Sequence, residues 1–562
     1  MKKNSRAFWK QSKSAVTIND YLLRKFLLDV GFGQFQVNDK RTSDKSFFKD
    51  DNGILKVYDE VSIKSWIRNY FENTADDEFK NGNVFGHIGS DEFQCGKDDM
   101  LSKFQSYSTS KLKSSILKDL EIYSEKGFTD TKKLRLFNNK RNVAHIIFKN
   151  GVVRITKDSI KMLPMSELKG KGSIWESSII DKDIKYDDSK GLFEKFCENA
   201  MKYKNPDKNH DDWRKNYDLR KDHYLGMRTG YGFMIHTHNT PDVSKCVYHI
   251  DADAEPDKPN GGNGKSLVMK SVKHYKPLVE VAGDRFRQNM EEGGRFQFSN
   301  VDVDTKFVCI DDVIPTFKFQ TLFSFITGEM EIERKGKDIM MIPADRKPKF
   351  GVTTNYVVPG VGTSHRRRQH VVEFGNYWNF MNEIGESVSD KRHIGKDLLE
   401  EWTMTKKDWN QFYSYGFRCV QEYFQKGLVE SPNNTYAKKL LNLTIEGVGG
   451  SGEVTRWMED WCKKERLEKN YHFDGISELK LYKKFISENN ELDPAIWDVK
   501  KFRESFWTFI DMKPEYDYNP DNAKKGRTLT DRRWLKGSAG SQERWYKITD
   551  VKIKTVDKTT ME

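Results

Sequence analysis

The chain has 562 residues, 32% of them charged and 36% hydrophobic, with a formal net charge of +12. That length accommodates about two to four domains with substantial cores. No apolar run approaches the roughly 20 residues that span a bilayer, and Met1 to Lys10 lacks the apolar centre of a secretory signal, so no membrane association and a cytoplasmic protein are expected.

Residues 1–155 read as a mixed α+β region. Apolar spacing predicts amphipathic helices over 22–30 and 61–71 and a lysine-rich helix over 111–123. Ala144–Phe148 and residues 152–155 flank Lys149-Asn150-Gly151, a hairpin signal. Residues 156–190 are polar and weakly patterned, which predicts a linker. Helical patterning returns over 191–229, with Phe193, Phe196, Met201 and Tyr203 on its apolar side. Residues 230–427 form the next unit. Strand and helix patterns alternate in it, the mark of an α/β domain, and a helical stretch over 402–427 closes it. Residues 428–453 are polar and glycine-rich, a second linker, and 454–562 read as a small separate domain.

Chemistry concentrates in the α/β unit. The apolar run Cys246 to Ile250 precedes Pro259-Asn260-Gly261-Gly262-Asn263-Gly264-Lys265-Ser266. Glycines let successive backbone N–H groups converge on one anion. A lysine then reaches the β- and γ-phosphates, and a serine hydroxyl binds Mg²⁺. Pro259 stands where the strict pattern has its first glycine. Downstream, the strand-like Lys306 to Ile310 ends in Asp311-Asp312. One carboxylate at a strand end can hold Mg²⁺ and the next can polarise an attacking water. A second strand pattern, Lys349–Thr354, ends in Asn355, whose amide can orient that water. Arg366-Arg367-Arg368 follows; arginines stabilise charge on a transferring phosphoryl group, often from a neighbouring subunit. Each feature alone has an ordinary explanation: a strand cap, a turn asparagine, a solvated basic cluster.

Between the acidic and asparagine strands, Met330 to Glu333 and Asp338 to Ile342 flank Arg334-Lys335-Gly336-Lys337, a hairpin with a basic turn. Taken together, the loop Pro259 to Ser266, Asp311-Asp312, Asn355 and the arginine cluster resemble a superfamily 3 helicase. The resemblance is to the type found in the primase-helicases of poxviruses, large DNA viruses, phages and plasmids. It covers about residues 190–425. It implies a multidomain α/β protein with a P-loop AAA+-like ATPase core and a helical oligomerisation collar at 191–229. The implied activity is that of an ATP-dependent replicative helicase for a phage, virus or mobile element, working in the host cytoplasm. It would act with Mg²⁺ as a hexameric ring on single-stranded or forked DNA, and a primase or polymerase partner is an open expectation. On this reading Gly261, Gly262, Asn263, Gly264, Lys265 and Ser266 bind ATP, and Ser266 and Asp311 hold the metal. Asp311, Asp312, Asn355 and an arginine from Arg366–Arg368 serve catalysis. The family places a DNA-gripping lysine where Lys335 stands; Gly336 replaces the histidine of papilloma- and polyomavirus relatives, and Arg334 and Lys337 are further DNA candidates. A DNA-stimulated ATPase motor without unwinding, an origin-binding replication initiator and the helicase part of a primase-helicase are the alternatives.

The last domain suggests helices followed by a basic two-strand wing, a winged-helix-like arrangement in which Arg527, Arg532, Arg533 and Lys536 contact phosphates. Three further patterns are set aside. Asp251-Ala252-Asp253 matches a primase metal motif but leaves no room for a separate fold. His236 and His238 read as surface histidines, and Gly447 to Gly452 reads as flexible linker. The cysteines lie far apart with no Cys-x-x-Cys, which speaks against a zinc site or a disulfide framework.

Overall fold

Cys246–Asp251 is apolar on both sides and buried throughout, the composition of a strand covered on both faces. It is β1 of a five-stranded parallel sheet. The others are β2 (Leu278–Ala282), β3 (Phe307–Val313), β4 (Lys349–Thr354) and β5 (Gln369–Phe374), in the order β2-β3-β4-β1-β5. Cys246 lies beside Phe350 of β4 on one side and Gln369 of β5 on the other. The computed structural model describes residues 8–11, 16–37, 45–73, 85–88, 91–94, 97–128, 130–252, 261–286, 296–314, 317–357, 363–391, 393–432, 440–442, 444–445, 452–468, 476–490, 492–493, 495–512, 516–518, 531–534, 542–546 and 548–550.

Alternate residues of the strands face opposite sides of the sheet. Val247, Cys309 and Val372 pack with the helices α1 (Leu192–Ala200), α2 (Lys221–Ile235) and, further on, Lys406–Lys426. Tyr248, Ile310 and Val352 pack on the other side, against Phe319, Leu322 and the hairpin residues Met330, Ile332, Met340 and Ile342. The residues expected as a separate collar, 191–229, are therefore one face of the sheet domain. Helix α2 runs on to Ile235 and lies so close to its neighbour that a Cβ on Gly232 would fall 2.1 Å from Cys419 O. Helix Lys406–Lys426 starts later than expected because Thr405 and Asp408 form a capping box, which leaves Trp402 in the preceding turn.

Residues 156–190 are not a linker. Ile160–Leu163 and Ile179–Ile180 complete a four-stranded sheet with the hairpin Ala144–Phe148 and Gly151–Ile155. Ile174–Trp175 adds an edge to a six-stranded sheet built on Phe32–Phe35, Ser46–Asp51 and Ile54–Tyr58. Strands of two to four residues are too short to show a period. Helices Asp20–Asp29 and Glu60–Asn73 form where the spacing predicts, whereas the lysine-rich helix is only Thr109–Ser115 and strand Ile122–Ser124 follows it.

The C-terminal region contains helices Glu453–Glu468, Glu478–Glu488 and Val499–Met512. Strand Ile476–Ser477 pairs with Gln542–Tyr546, which pairs with Asp531–Trp534. Its core takes in Leu441 and Ile445, so part of the second expected linker belongs to this unit. Among the described residues no helix is long and apolar enough to cross a membrane.

Candidate active site

Parallel strands bring their C-terminal ends to one edge, where ligands of open α/β sheets bind. Asp251, Asp311, Asp312 and Asn355 all emerge there. The glycine-rich loop crosses the same edge and opens α3 (Lys265–Lys270). Gly264 has φ +88°, and a Cβ on it would meet Phe196 Cζ at 2.4 Å, so the tight turn requires glycine. Phe196 is itself stacked on Trp378 with ring centroids 5.0 Å apart.

Lys265 does not extend into solvent. Its Nζ forms an ion pair with Asp251 Oδ2 and donates to Asn355 Oδ1 at 2.8 Å. The two charged side chains are 6% and 0% exposed. The other Asp251 oxygen accepts from Asn263 Nδ2 at 2.8 Å, and Asn263 Oδ1 accepts from the Asn379 N–H at 3.1 Å. Beneath the loop, burial pushes the His249 imidazole down to about 3, so it stays neutral; its Nδ1–H donates to Lys265 O at 3.1 Å.

Asp311 and Asp312 point differently because β3 carries an irregularity between Ile310 and Val313, with Asp312 at φ +56°. This sparsely populated conformation is one that surroundings must enforce. Here the Asp312 N–H donates to Thr353 Oγ1 at 2.9 Å. The Asp311 Oδ1 accepts from Ser266 Oγ at 2.7 Å and from Thr353 Oγ1 at 2.6 Å, while Oδ2 pairs with Lys270 at 2.8 Å. Burial alone would raise the Asp311 carboxyl, but the bonds from Lys270, Thr353 and Ser266 outweigh it and hold it below the usual carboxylate range. Asp312 is exposed, and its Oδ1 accepts from Asn355 Nδ2 at 2.9 Å. Asn355 thus bridges Lys265 to Asp312, because β4 lies between the loop strand and the acidic strand.

These residues line one open cleft, whose lining also takes in Val388, Ser389, Asp397, Leu398, Glu400 and Trp402. Sequence reasoning missed this part of the lining and Asp251. The first carries no motif, and the second sits inside a pattern with another meaning.

The arginine cluster is elsewhere. Arg368 O accepts from the Cys246 N–H at the start of β1, at 2.7 Å. Five strand residues at about 3.3 Å each put it roughly 17 Å from the Asp251 end. Arg366 and Arg367 are exposed, and Arg368 lies over Phe323 at 4.4 Å. In the basic hairpin, Arg334 is bound to Ser299 O at 3.0 Å, Val301 O at 2.6 Å and Asp302 at 3.1 Å. Lys337 faces Glu60 at 3.8 Å. Lys335 is exposed at the turn. Arg334, expected to meet DNA, therefore ties the hairpin to the body of the domain. Arg532 and Arg533 lie on the strand Asp531–Trp534, opposite Arg544 and Glu543. Pro259, Asp253, Arg527, Lys536 and residues 447–450 lie outside the described residues. His236 is buried rather than superficial: its Nε2 bonds Lys140 O at 3.0 Å, while the partly buried His238 bonds Asn139 O at 3.1 Å.

No family model matches the chain, and no curated protein matches it. Solved structures of the NrS-1 C-terminal region in its A form, without ligand, show a weak similarity. One is 11% identical with a TM-score of 0.36, covering 93% of this chain and 97% of that one. Another, of residues 305–718, is 10% identical with a TM-score of 0.25, covering 73% and 96%. Likenesses of this strength carry no argument about fold or activity.

Proposed function

We propose that the chain is an ATP-driven DNA helicase of the superfamily 3 type, serving replication of a phage, virus or mobile element as a ring of identical subunits. The observation that carries this reading is the convergence of Lys265, Ser266, Asp311, Asp312 and Asn355 in one cleft, linked by direct hydrogen bonds. Loop N–H groups and Lys265 would receive the phosphates. Asp312, exposed and held by Asn355, would take a proton from water, and Asn355 would report the γ-phosphate to both sides of the cleft.

Ser266 Oγ and Asp311 Oδ1 suit Mg²⁺: both are hard oxygens 2.7 Å apart, the Thr353 hydroxyl holds Oδ1 in position at 2.6 Å, and Lys270 pairs with the other carboxylate oxygen. When bound with the nucleotide, Mg²⁺ supplies neutralisation of the β- and γ-phosphate charge. An arginine of Arg366–Arg368 would reach the site of an adjoining subunit, since its own site lies across the sheet. The Lys335 hairpin would contact single-stranded DNA.

The test is ATP hydrolysis, with and without single-stranded DNA, alongside unwinding of forks bearing 3′ or 5′ tails. Asp312→Asn leaves no buried charge behind and is expected to lower hydrolysis about 10²-fold or more. Lys335→Ala is expected to retain basal hydrolysis and lose unwinding. Hydrolysis without unwinding by the wild type would identify a motor of another kind, and no hydrolysis at all would refute the proposal.

A further inference from the structure

The cleft is lined by two groups of residues. One offers loop N–H groups, the Lys265 ammonium paired with Asp251, the Ser266 hydroxyl and the carboxylates of Asp311 and Asp312. The other offers the carboxylates of Asp397 and Glu400, the apolar Val388 and Leu398, and the indole of Trp402. Carboxylates repel a polyphosphate and accept hydrogen bonds from amino and hydroxyl groups. With its phosphates on the loop N–H groups, a nucleotide would have its base and sugar left for Asp397, Glu400 and Trp402.

Trp402 is 80% exposed, the most exposed large hydrophobic side chain among the described residues. The turn that presents it is anchored. Thr403 Oγ1 donates to Asp397 O at 2.5 Å and to Glu400 O at 3.1 Å, and the Met404 N–H donates to Glu400 O at 3.0 Å. Ser389 Oγ bonds the Asp397 carboxylate, and Lys182 holds Glu401 at 2.7 Å. Leu399, buried in the same turn, has φ +64°, a strained conformation for a residue with a side chain. An anchored turn that holds an indole in solvent, on the rim of a cleft, is a stacking platform rather than an unfinished core.

We infer that Trp402 is the base-stacking residue of the nucleotide site. This rests on the cleft being a nucleoside triphosphate site. The base lies against the indole, while Glu400 and Asp397 accept from exocyclic amino or ribose hydroxyl groups.

Binding of the magnesium complexes of ATPγS and of inorganic tripolyphosphate to the full chain, by titration calorimetry, tests it. Base–aromatic stacking of ordinary strength predicts that Trp402→Ala weakens ATPγS binding by about 5- to 150-fold. Tripolyphosphate affinity and the melting temperature should stay unchanged, and Trp402→Phe should retain most of the nucleotide affinity. Unchanged ATPγS binding in Trp402→Ala, or an equal loss for both probes, overturns the assignment. Failure of the wild type to bind either probe would instead refute the nucleotide site itself.

Discussion

Substituting Lys265 tests more than phosphate binding. Without nucleotide its ammonium neutralises Asp251, and both side chains are almost wholly buried. Lys265→Ala removes one member of a buried ion pair and leaves a carboxylate in the interior. That change costs about 3–5 kcal/mol. In a unit of about 200 residues each kcal/mol lowers the melting temperature by roughly 2–4 °C, so a fall of roughly 6–20 °C is expected. Asp251→Asn should cost a comparable amount, because it strands the ammonium with only the Asn355 oxygen at 2.8 Å. Lys265→Ala with Asp251→Asn removes both charges and keeps the Asn263 contact available, so it should recover most of the loss. Recovery requires a coupling energy larger than the loss of either single variant, above about 3 kcal/mol, the upper end of the range for residues in contact. Calorimetric scans of the four proteins without nucleotide measure it. A double variant that melts with Lys265→Ala, or a Lys265→Ala protein within about 2 °C of wild type, would refute the reasoning. The double variant is also the cleaner probe of hydrolysis, because lost activity then cannot be ascribed to a disturbed fold.

Two further predictions concern the assembly and the buried histidines. Replacing Arg366, Arg367 and Arg368 together by Ala, or Asp312 by Asn, should each lower hydrolysis about 10²-fold or more, and mixing the two proteins should restore part of it, because a cleft with intact Asp312 can receive an intact arginine from its neighbour; no recovery in assembled mixtures would contradict a shared site. Burial pushes His249 down to about 3 and His370 down to about 4, below the ordinary value of 6.5. The unfolded chain therefore binds protons between about pH 6.5 and 4 that the folded chain does not. Stability is fully present above about pH 6.5 and falls on acidification, by about 1.4 kcal/mol per pH unit for each histidine; a melting temperature that stays flat from pH 7 to 5 would contradict this.

The legible part of the site was the part written in contiguous segments. Lys265 and Ser266 follow an apolar strand, Asp311 and Asp312 lie at the end of another, and Asn355 follows a third. A parallel sheet gathers such ends without further information. Strand order was not legible, because pairing β4 between β1 and β3 is a non-local choice. That order is what places Asn355 in contact with both Lys265 and Asp312. Asp251 shows the opposite failure: in Asp251-Ala252-Asp253 the pattern suggested a metal motif, but the side chain is a buried counter-ion whose role depends on a loop more than ten residues away. The strands at 160–163, 174–175 and 179–180 escaped because each draws its stability from partners distant in sequence.

The charge around the cleft bears on how the site must work. Asp311, Asp312, Asp397 and Glu400 line it, against Lys265 as the one cation among the described lining residues. Lys265 is already neutralised by Asp251. A nucleoside triphosphate brings three to four further negative charges into this surrounding, and like charges a few ångströms apart repel strongly in a partly buried cleft. Two cations can change the sign. On the proposed function, Mg²⁺ at Ser266 and Asp311 would be one and an arginine of Arg366–Arg368 from an adjoining subunit the other, because the chain's own three sit at the far end of the sheet. On that reading the anionic cleft would make tight nucleotide binding conditional on a neighbour. It would also keep a lone subunit from hydrolysing ATP to no purpose, since the charge that builds on the transferring phosphoryl group would be met only in an assembled ring.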